Sequence, residues 1–567
     1  MRPPNAILGS AKLIALCTMA SRATGMLRDM LLTHTFGAVW LLDAFWFGFQ
    51  LPNVFRRLFA EGVLGAAFVP VFTRELERGG APAAARLLAR SRAVLTSAVL
   101  VVVLLIELAI LLLWALNERS GGAGASANSA LLALTALMTP FLLSICVVAL
   151  YSSCLNSLGS FVPAALTPLI LNVGMMAGLL WLGPALGASP QRSMLGVALS
   201  VPLAGLLQLA FVTRALRARH LPIGWSLAPR DPTVRRMLGL MGPVAIGQGV
   251  LLAGALIDGV LCLLLTRPPG SDGSASWLGL QFEYPLEPGA LSVLNLAQRL
   301  YQFPLGVLAI SLAVAALPTL TRLAARAQWD VWRAELRQAL RLAMFVGLLA
   351  GTMMIAVPNS IVRLLFEYRE FGPQDTARAA RVLACYGVGL WAMCAQHVVL
   401  RAYYSVSDVR TPVRITCLMV PANIALALAL VWRGAVGEAA FAIATSITSI
   451  GSVVIGVAAL PRAHLGAGAL LDGATRGALA RMLAAAVVAG AATVAAQAPL
   501  RDWAGNLGPV SGRLVETFAL LSLGSLVYLL LSALLRLGEP AALLRGWRHT
   551  APAPLIPPTS GCERRDR

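Results

Sequence analysis

The stretch Ser21–Gly62 reads SRATGMLRDMLLTHTFGAVWLLDAFWFGFQLPNVFRRLFAEG and places Arg22, Arg28, Asp29, Asp43, Arg56, Arg57 and Glu61 inside two segments otherwise apolar enough to span a bilayer. A charge at the centre of such a segment costs about 2.5–3.5 kcal/mol even on the most lenient insertion scale, so charge there needs a reason. Outward from this stretch the chain stays apolar: of 567 residues, 58% are hydrophobic and 12% charged, more apolar surface than one soluble core would bury. The long runs lack the two-residue alternation of barrel strands, and backbone in lipid must bond to itself. The expected fold class is an all-α polytopic membrane protein.

Fourteen runs of about 20 apolar residues are the candidate spans. They lie near 10–36, 40–68, 88–116, 128–152, 161–184, 193–215, 236–265, 288–317, 338–365, 379–404, 412–432, 436–460, 475–497 and 512–536. Alternate connections carry the basic residues, as with Arg74, Arg78, Arg86, Arg90 and Arg92, then Arg214, Arg217, Arg219, Arg230, Arg235 and Arg236. By the positive-inside rule both termini are cytoplasmic. The net charge of +20 therefore reads as topology, and no soluble basic domain is left over to bind nucleic acid.

An internal repeat spaced by about 250 residues relates Val69-Pro70-Val71-Phe72-Thr73-Arg74 to Leu317-Pro318-Thr319-Leu320-Thr321-Arg322. It also relates Leu51-Pro52 to Phe303-Pro304, Phe161-Val162-Pro163 to Arg410-Thr411-Pro412, and Asn172 to Asn423. The repeat unit holds six spans, which predicts an N-terminal lobe over 1–225 and a C-terminal lobe over 226–465. Residues 466–536 would add two further spans, and 537–567 a basic, disordered tail. Gly242-Pro243 and Pro304-x-Gly306 read as helix breaks, and Pro163 and Pro412 as helix starts.

On a helical wheel Ser21, Arg22, Gly25, Arg28 and Asp29 fall within roughly 120°. Asp43, Gln50, Asn53, Arg57 and Glu61 share a stripe on the second span, and Asn295, Gln298, Arg299 and Gln302 one on the eighth. Two readings follow. Either the charges only lock helices together, Arg22 with Asp29 and Arg57 with Glu61, or they line a water-filled cavity with a net positive wall. The excess of arginine favours the second, because an unpaired guanidinium in a dry interface is costly while its planar fork suits phosphate or carboxylate. Asp258, Asn423 and Thr445 or Thr448 would supply oxygens to a small cation. The histidines are isolated, the eight cysteines form no Cys-x-x-Cys pair, and there is no phosphate-binding loop or Gly-x-Ser-x-Gly turn. No enzyme is expected, and uphill work would draw on an ion gradient or the membrane potential.

Several motifs in this chain resemble the MurJ (MviN) lipid II flippases. They are Ser21-Arg22-x-x-Gly25-x-x-Arg28-Asp29, Asp43-Ala44-Phe45, Leu51-Pro52-Asn53-x-x-Arg56-Arg57-x-x-Ala60-Glu61-Gly62, Gln298-Arg299-Leu300-x-Gln302-Phe303-Pro304-x-Gly306 and Thr411-Pro412. The resemblance implies a fourteen-helix member of the multidrug/oligosaccharidyl-lipid/polysaccharide exporter superfamily in the bacterial inner membrane. Such a protein carries undecaprenyl-pyrophosphate-linked peptidoglycan precursor outward. It implies Arg22, Arg28, Arg56 and Arg299 as substrate-binding residues, with Asp43 as a further acid; the stripes add Asn53 and Ser21 to that set, and Asp29, Arg57, Glu61, Gln298 and Gln302 as supporting groups. It further implies a lipid-tail groove in the last two spans, the bilayer and cell-wall synthesis proteins as partners, and a sodium site at Asp258, Asn423 and Thr445 as the single cofactor. Ala427 stands where a second acid of that site is expected, and the connection 267–288 is longer than usual. Rival readings are a flippase for another polyprenyl-pyrophosphate-linked oligosaccharide, a cation-coupled multidrug exporter, and a membrane scaffold.

Overall fold

The computed structural model describes residues 4–120, 124–277, 280–433, 436–464 and 472–542, so most of the expected tail lies outside the described residues. The chain is helical almost throughout. Helices α1 (Pro4–Phe36), α2 (Trp40–Arg56), α3 (Val69–Ser120), α4 (Ala125–Met138) and α5 (Phe141–Ser157) are followed by α6 (Val162–Ala177), α7 (Gly183–Leu186), α8 (Pro190–Arg217) and α9 (Pro232–Leu265). A short antiparallel hairpin, β1 (Ser274–Trp277) and β2 (Leu280–Glu283), occupies the long connection to α10 (Ala290–Pro304). Then come α11 (Ile310–Ala325), α12 (Trp329–Ala356), α13 (Pro358–Phe366), α14 (Pro373–Ser405), α15 (Arg410–Val431), α16 (Ala439–His464), α17 (Gly473–Ala495), α18 (Gln497–Gly505) and α19 (Pro509–Leu534).

Among the described residues ten helices are long and apolar enough to cross a membrane. The protein is a multi-pass membrane protein. The other four expected spans, near 10–36, 40–68, 236–265 and 288–317, are occupied by helix as well. Three of them, α1, α2 and α10, carry the charged and amide stripes.

Proline and glycine act differently from the expected breaks. The basic connection near 68–88 is itself helical and belongs to α3, interrupted at Gly80, whose φ of 64° places it in the left-handed region. Pro52 and Pro304, matched by the repeat, do not stop their helices. Each is followed by a wider π-helical stretch, Arg57–Phe68 after the first and Leu305–Ala309 after the second. α9 runs unbroken through Gly242-Pro243. The prolines at 163 and 412 do sit in first turns, where a missing N–H costs nothing.

Two compact units result. The first comprises residues 1–303, 358–389 and 409–452. Within it α6 packs on α1 and α8, α5 on α3 and α8, α4 on α2, and α9 on the π-helical stretch after α2. The second comprises 304–357, 390–408 and 453–567. Its core sets Phe345 and Val346 of α12 against Ala478, Met482, Ala485, Ala486 and Ala489 of α17 and Tyr528 of α19. Small residues on α17 let the helices approach closely, as in other membrane interfaces. Arg341 donates to Glu539 at 2.5 Å, and Arg337 pairs with Asp472 at 3.0 Å.

Candidate functional site

The charged stripes of α1 and α10 meet inside the first unit. Arg28 and Asp29 of α1 are both buried, at 4% and 2% exposure. Arg28 folds back on its neighbour, with Nε and Nη2 donating to Asp29 Oδ1 at 2.9 and 2.6 Å. Its Nη1 donates to Asn172 Oδ1 of α6 at 2.9 Å. The guanidinium carbon lies 5.5 Å from the centre of the Trp46 ring and 5.7 Å from that of Phe49, both on α2. A desolvated cation over such rings gains roughly 2 kcal/mol.

The second oxygen of Asp29 accepts from Nε of Arg299 on α10 at 2.6 Å. One carboxylate thus holds two guanidiniums, and the cluster carries a net positive charge. Arg299 differs from Arg28 in access: its side chain is 42% exposed, and its two terminal nitrogens have no protein partner among the described residues. A planar fork of that kind, backed by a second buried guanidinium, suits a phosphate or pyrophosphate oxygen pair.

Asp43 is placed elsewhere. It is fully buried, and its oxygens accept from the Gly289 and Ser292 backbone N–H groups at 2.8 and 2.7 Å and from the Ser292 hydroxyl at 2.6 Å. These donors open α10, so Asp43 caps the helix that carries Arg299, and the helix N-terminus compensates its charge. Gly289 has φ of 90°, and a Cβ there would collide with the Ala38 carbonyl, so no other residue fits the turn that presents these N–H groups.

The remaining expected residues fall as follows. Arg56 donates to Asn53 Oδ1 at 3.1 Å, one turn back along α2. Arg22 and Arg57 are exposed. The Ser21 carbonyl accepts from Asn172 Nδ2 at 3.0 Å. Gln298 donates to the Tyr386 hydroxyl at 3.2 Å, and Gln302 is half-buried. The side chain of Glu61 lies outside the described residues. The pairing of Arg22 with Asp29, the less favoured of the two readings, does not form; Arg28 and Arg299 take that carboxylate instead.

Asp258, Asn423 and Thr445 do come together. With its amide turned so that nitrogen faces the acid, Asn423 donates to Asp258 Oδ1 at 3.1 Å and accepts from the Thr445 N–H at 3.1 Å and Thr448 Oγ1 at 3.3 Å. Ala427 is buried on the same helix. The donors here are one carboxylate, one amide oxygen and two hydroxyls, all hard oxygen ligands of the kind that suit a small cation.

A family model described as "Lipid II flippase MurJ" matches residues 32–507. The chain belongs to the lipid II flippase MurJ family. Among its relatives, a "Probable lipid II flippase MurJ" of Rhizobium tropici is 32% identical over 414 residues, covering 73% of each chain. Another of that name, from Vibrio cholerae serotype O1, is 32% identical over 456 residues, 78% of this chain and 81% of the relative. Among solved structures, "Lipid II flippase MurJ, inward closed conformation" superposes with a TM-score of 0.72 at 20% identity, covering 94% of this chain and all (100%) of that one. An inward-facing multidrug resistance MATE family transporter of the MOP superfamily gives a TM-score of 0.62 at 12% identity, covering 80% of this chain and 98% of the other. Both likenesses concern the fold.

Against this MurJ framework, Asn172 is the site residue that charge and wheel arguments pass over. Its one signal is the repeat, which matches it to Asn423. The two play corresponding parts: Asn172 joins α6 to α1, and Asn423 joins α15 to α9. In both places an asparagine amide ties two helices of the first unit together.

Proposed function

We propose that this protein flips lipid II, the undecaprenyl-pyrophosphate-linked peptidoglycan precursor, from the inner to the outer leaflet of the bacterial cytoplasmic membrane. The observation that carries the reading is the half-exposed fork of Arg299, anchored through Nε on Asp29 and backed by buried Arg28. The pyrophosphate would accept from the terminal nitrogens of Arg299, and its charge would compete with Asp29 for both guanidiniums. Arg22, Arg56 and Asn53 would receive the rest of the anionic and sugar head group, while the polyprenyl chain stays in lipid beside α17 and α19.

Both termini are assigned to the cytoplasm from the arginine-rich connections. An anionic head group moving outward is then favoured by an inside-negative potential, by about 2.3 kcal/mol per charge per 100 mV. Sodium, held by Asp258, Asn423 and Thr445, would supply further coupling by binding one transport state better than the other. Alternating access would use the π-helical stretches after Pro52 and Pro304 as the points where helices bend.

The test is rescue of cells depleted of their own lipid II flippase, paired with native mass spectrometry against undecaprenyl-pyrophosphate lipids. Arg299→Ala should abolish rescue and weaken binding while the protein remains in the membrane. Full rescue by that variant would overturn the assignment of the site.

A further inference from the structure

A second arginine acts on the helix that carries Arg299. Arg378, on the first turns of α14, donates through Nε to Glu438 Oε1 at 2.8 Å, through Nη1 to the Pro288 carbonyl at 2.9 Å and through Nη2 to the Glu287 carbonyl at 3.4 Å. Asp375, one turn back on α14, lies 4.0 Å from Nη1 and accepts from the Gly372 N–H. The two carbonyls immediately precede Gly289, whose N–H is taken by Asp43 of α2. Residues 287–292 are therefore held by two charged groups from two different helices. The arginine takes the incoming carbonyls and the aspartate takes the outgoing N–H groups.

We infer that Arg378 is a positioning residue for Arg299: its fork, together with the Asp43 carboxylate, fixes the register of α10 against α2. From Ser292 to Arg299 is seven residues of helix, roughly 10 Å of rise and close to two full turns. A displacement at the clamp is therefore carried along a stiff rod to the guanidinium. Asp29 sits on α1, so the 2.6 Å bond from Arg299 Nε to Asp29 requires α10 to stay in place. Charge alone does not explain the arrangement, because Glu438 and Asp375 would be satisfied by a lysine. Two converging backbone carbonyls together with a carboxylate call for the planar five-donor fork of arginine.

The transport consequence rests on the flippase reading above; the positional claim does not. Leu291, 4% exposed between the clamped residues, serves as the reporter. In the full-length protein in nanodiscs, Leu291→Cys is labelled with a small hydrophilic maleimide and the modification is read by mass at that residue. Adding Arg378→Ala should speed labelling by about tenfold or more, as expected when a local opening replaces a closed segment. Arg378→Lys should fall between the two, and binding of undecaprenyl-pyrophosphate lipid should weaken by about tenfold although Arg299 is intact. Unchanged labelling in Arg378→Ala overturns the inference, and so does faster labelling with unchanged lipid binding when Arg299→Ala has lost lipid binding. If Arg378→Ala does not survive gel filtration as a folded protein, the Lys variant decides by the same criteria. Arg299→Ala, run in parallel, separates the two claims: if it binds lipid as well as the parent does, the flippase site fails while the labelling result still judges the clamp.

Discussion

Arg299 and Asp29 lie 270 positions apart and meet through a 2.6 Å bond, on a carboxylate whose other oxygen is already held by Arg28. Removing that carboxylate leaves the buried Arg28 guanidinium without its charged partner and facing the half-exposed Arg299. Breaking a buried ion pair by deleting one partner costs roughly 3–5 kcal/mol, and the remaining repulsion adds to it. Asp29→Ala should therefore lower the thermal stability of the purified protein and abolish rescue together. Preserved stability with lost rescue would mean that Asp29 acts on the substrate and not on the arginines.

Arg299→Lys keeps the charge and removes the fork. Hydrogen bonds to charged groups are worth about 1.5–3 kcal/mol each, so pyrophosphate-lipid affinity should fall about ten- to a hundredfold. Titration by native mass spectrometry against lipids with one or two phosphates measures this. The loss should be larger for the diphosphate lipid, which uses both terminal nitrogens.

Asn172→Ala removes the acceptor from a buried guanidinium and the donor from the Ser21 carbonyl. A buried donor left without a partner costs about 1–3 kcal/mol. The thermal midpoint should drop and α1 should show faster hydrogen exchange around Ser21 to Arg28, while α2 keeps its protection.

Much of this site is legible in the chain, and the limits have physical causes. The stripe on α1 and the matching stripe on α10 follow from helical periodicity, and the convergence of Arg28, Asp29 and Arg299 agrees with them. The bond between Arg28 and Asp29 does not follow, because adjacent residues point about 100° apart on a helix and meet only when a long side chain folds back. Asp43 shares its stripe with Asn53, which suggests a common role. Two of its three partners are backbone N–H groups 246 and 249 positions away, and backbone donors carry no side-chain signature. Gly242-Pro243 and Pro304-x-Gly306 read as breaks, since the period of a sequence does not separate a stopped helix from a continuous or wider one.

Gly289→Ala tests that hidden turn. Any Cβ at this position meets the Ala38 carbonyl, and the left-handed φ of 90° adds strain of roughly 1–2 kcal/mol for a residue with a side chain. The substitution should destabilise the protein more than Asp43→Asn, which keeps one acceptor oxygen for α10. Thermal unfolding of both variants in the same detergent gives the order.

The pH dependence of the second unit should centre on Asp472, which lies outside the spans and caps α17 by accepting from the Thr475 N–H at 2.8 Å. Bonds from the Thr475 side chain and backbone, and then the neighbouring Arg337 and Arg341, hold its carboxyl below the ordinary carboxylate range. A group with a lowered folded pKa contributes stability that is fully present above its unfolded value and is lost as pH falls through the folded value. Protection of the first turn of α17 should therefore be constant from neutral pH down to the ordinary carboxylate range, then fall as pH drops toward the lowered value of Asp472. Hydrogen exchange at Thr475 and Arg476, corrected for the intrinsic pH dependence of exchange, follows this directly. In Asp472→Ala the same turn should exchange faster at neutral pH and lose the acid transition. A transition that persists in that variant would assign the effect to another carboxylate.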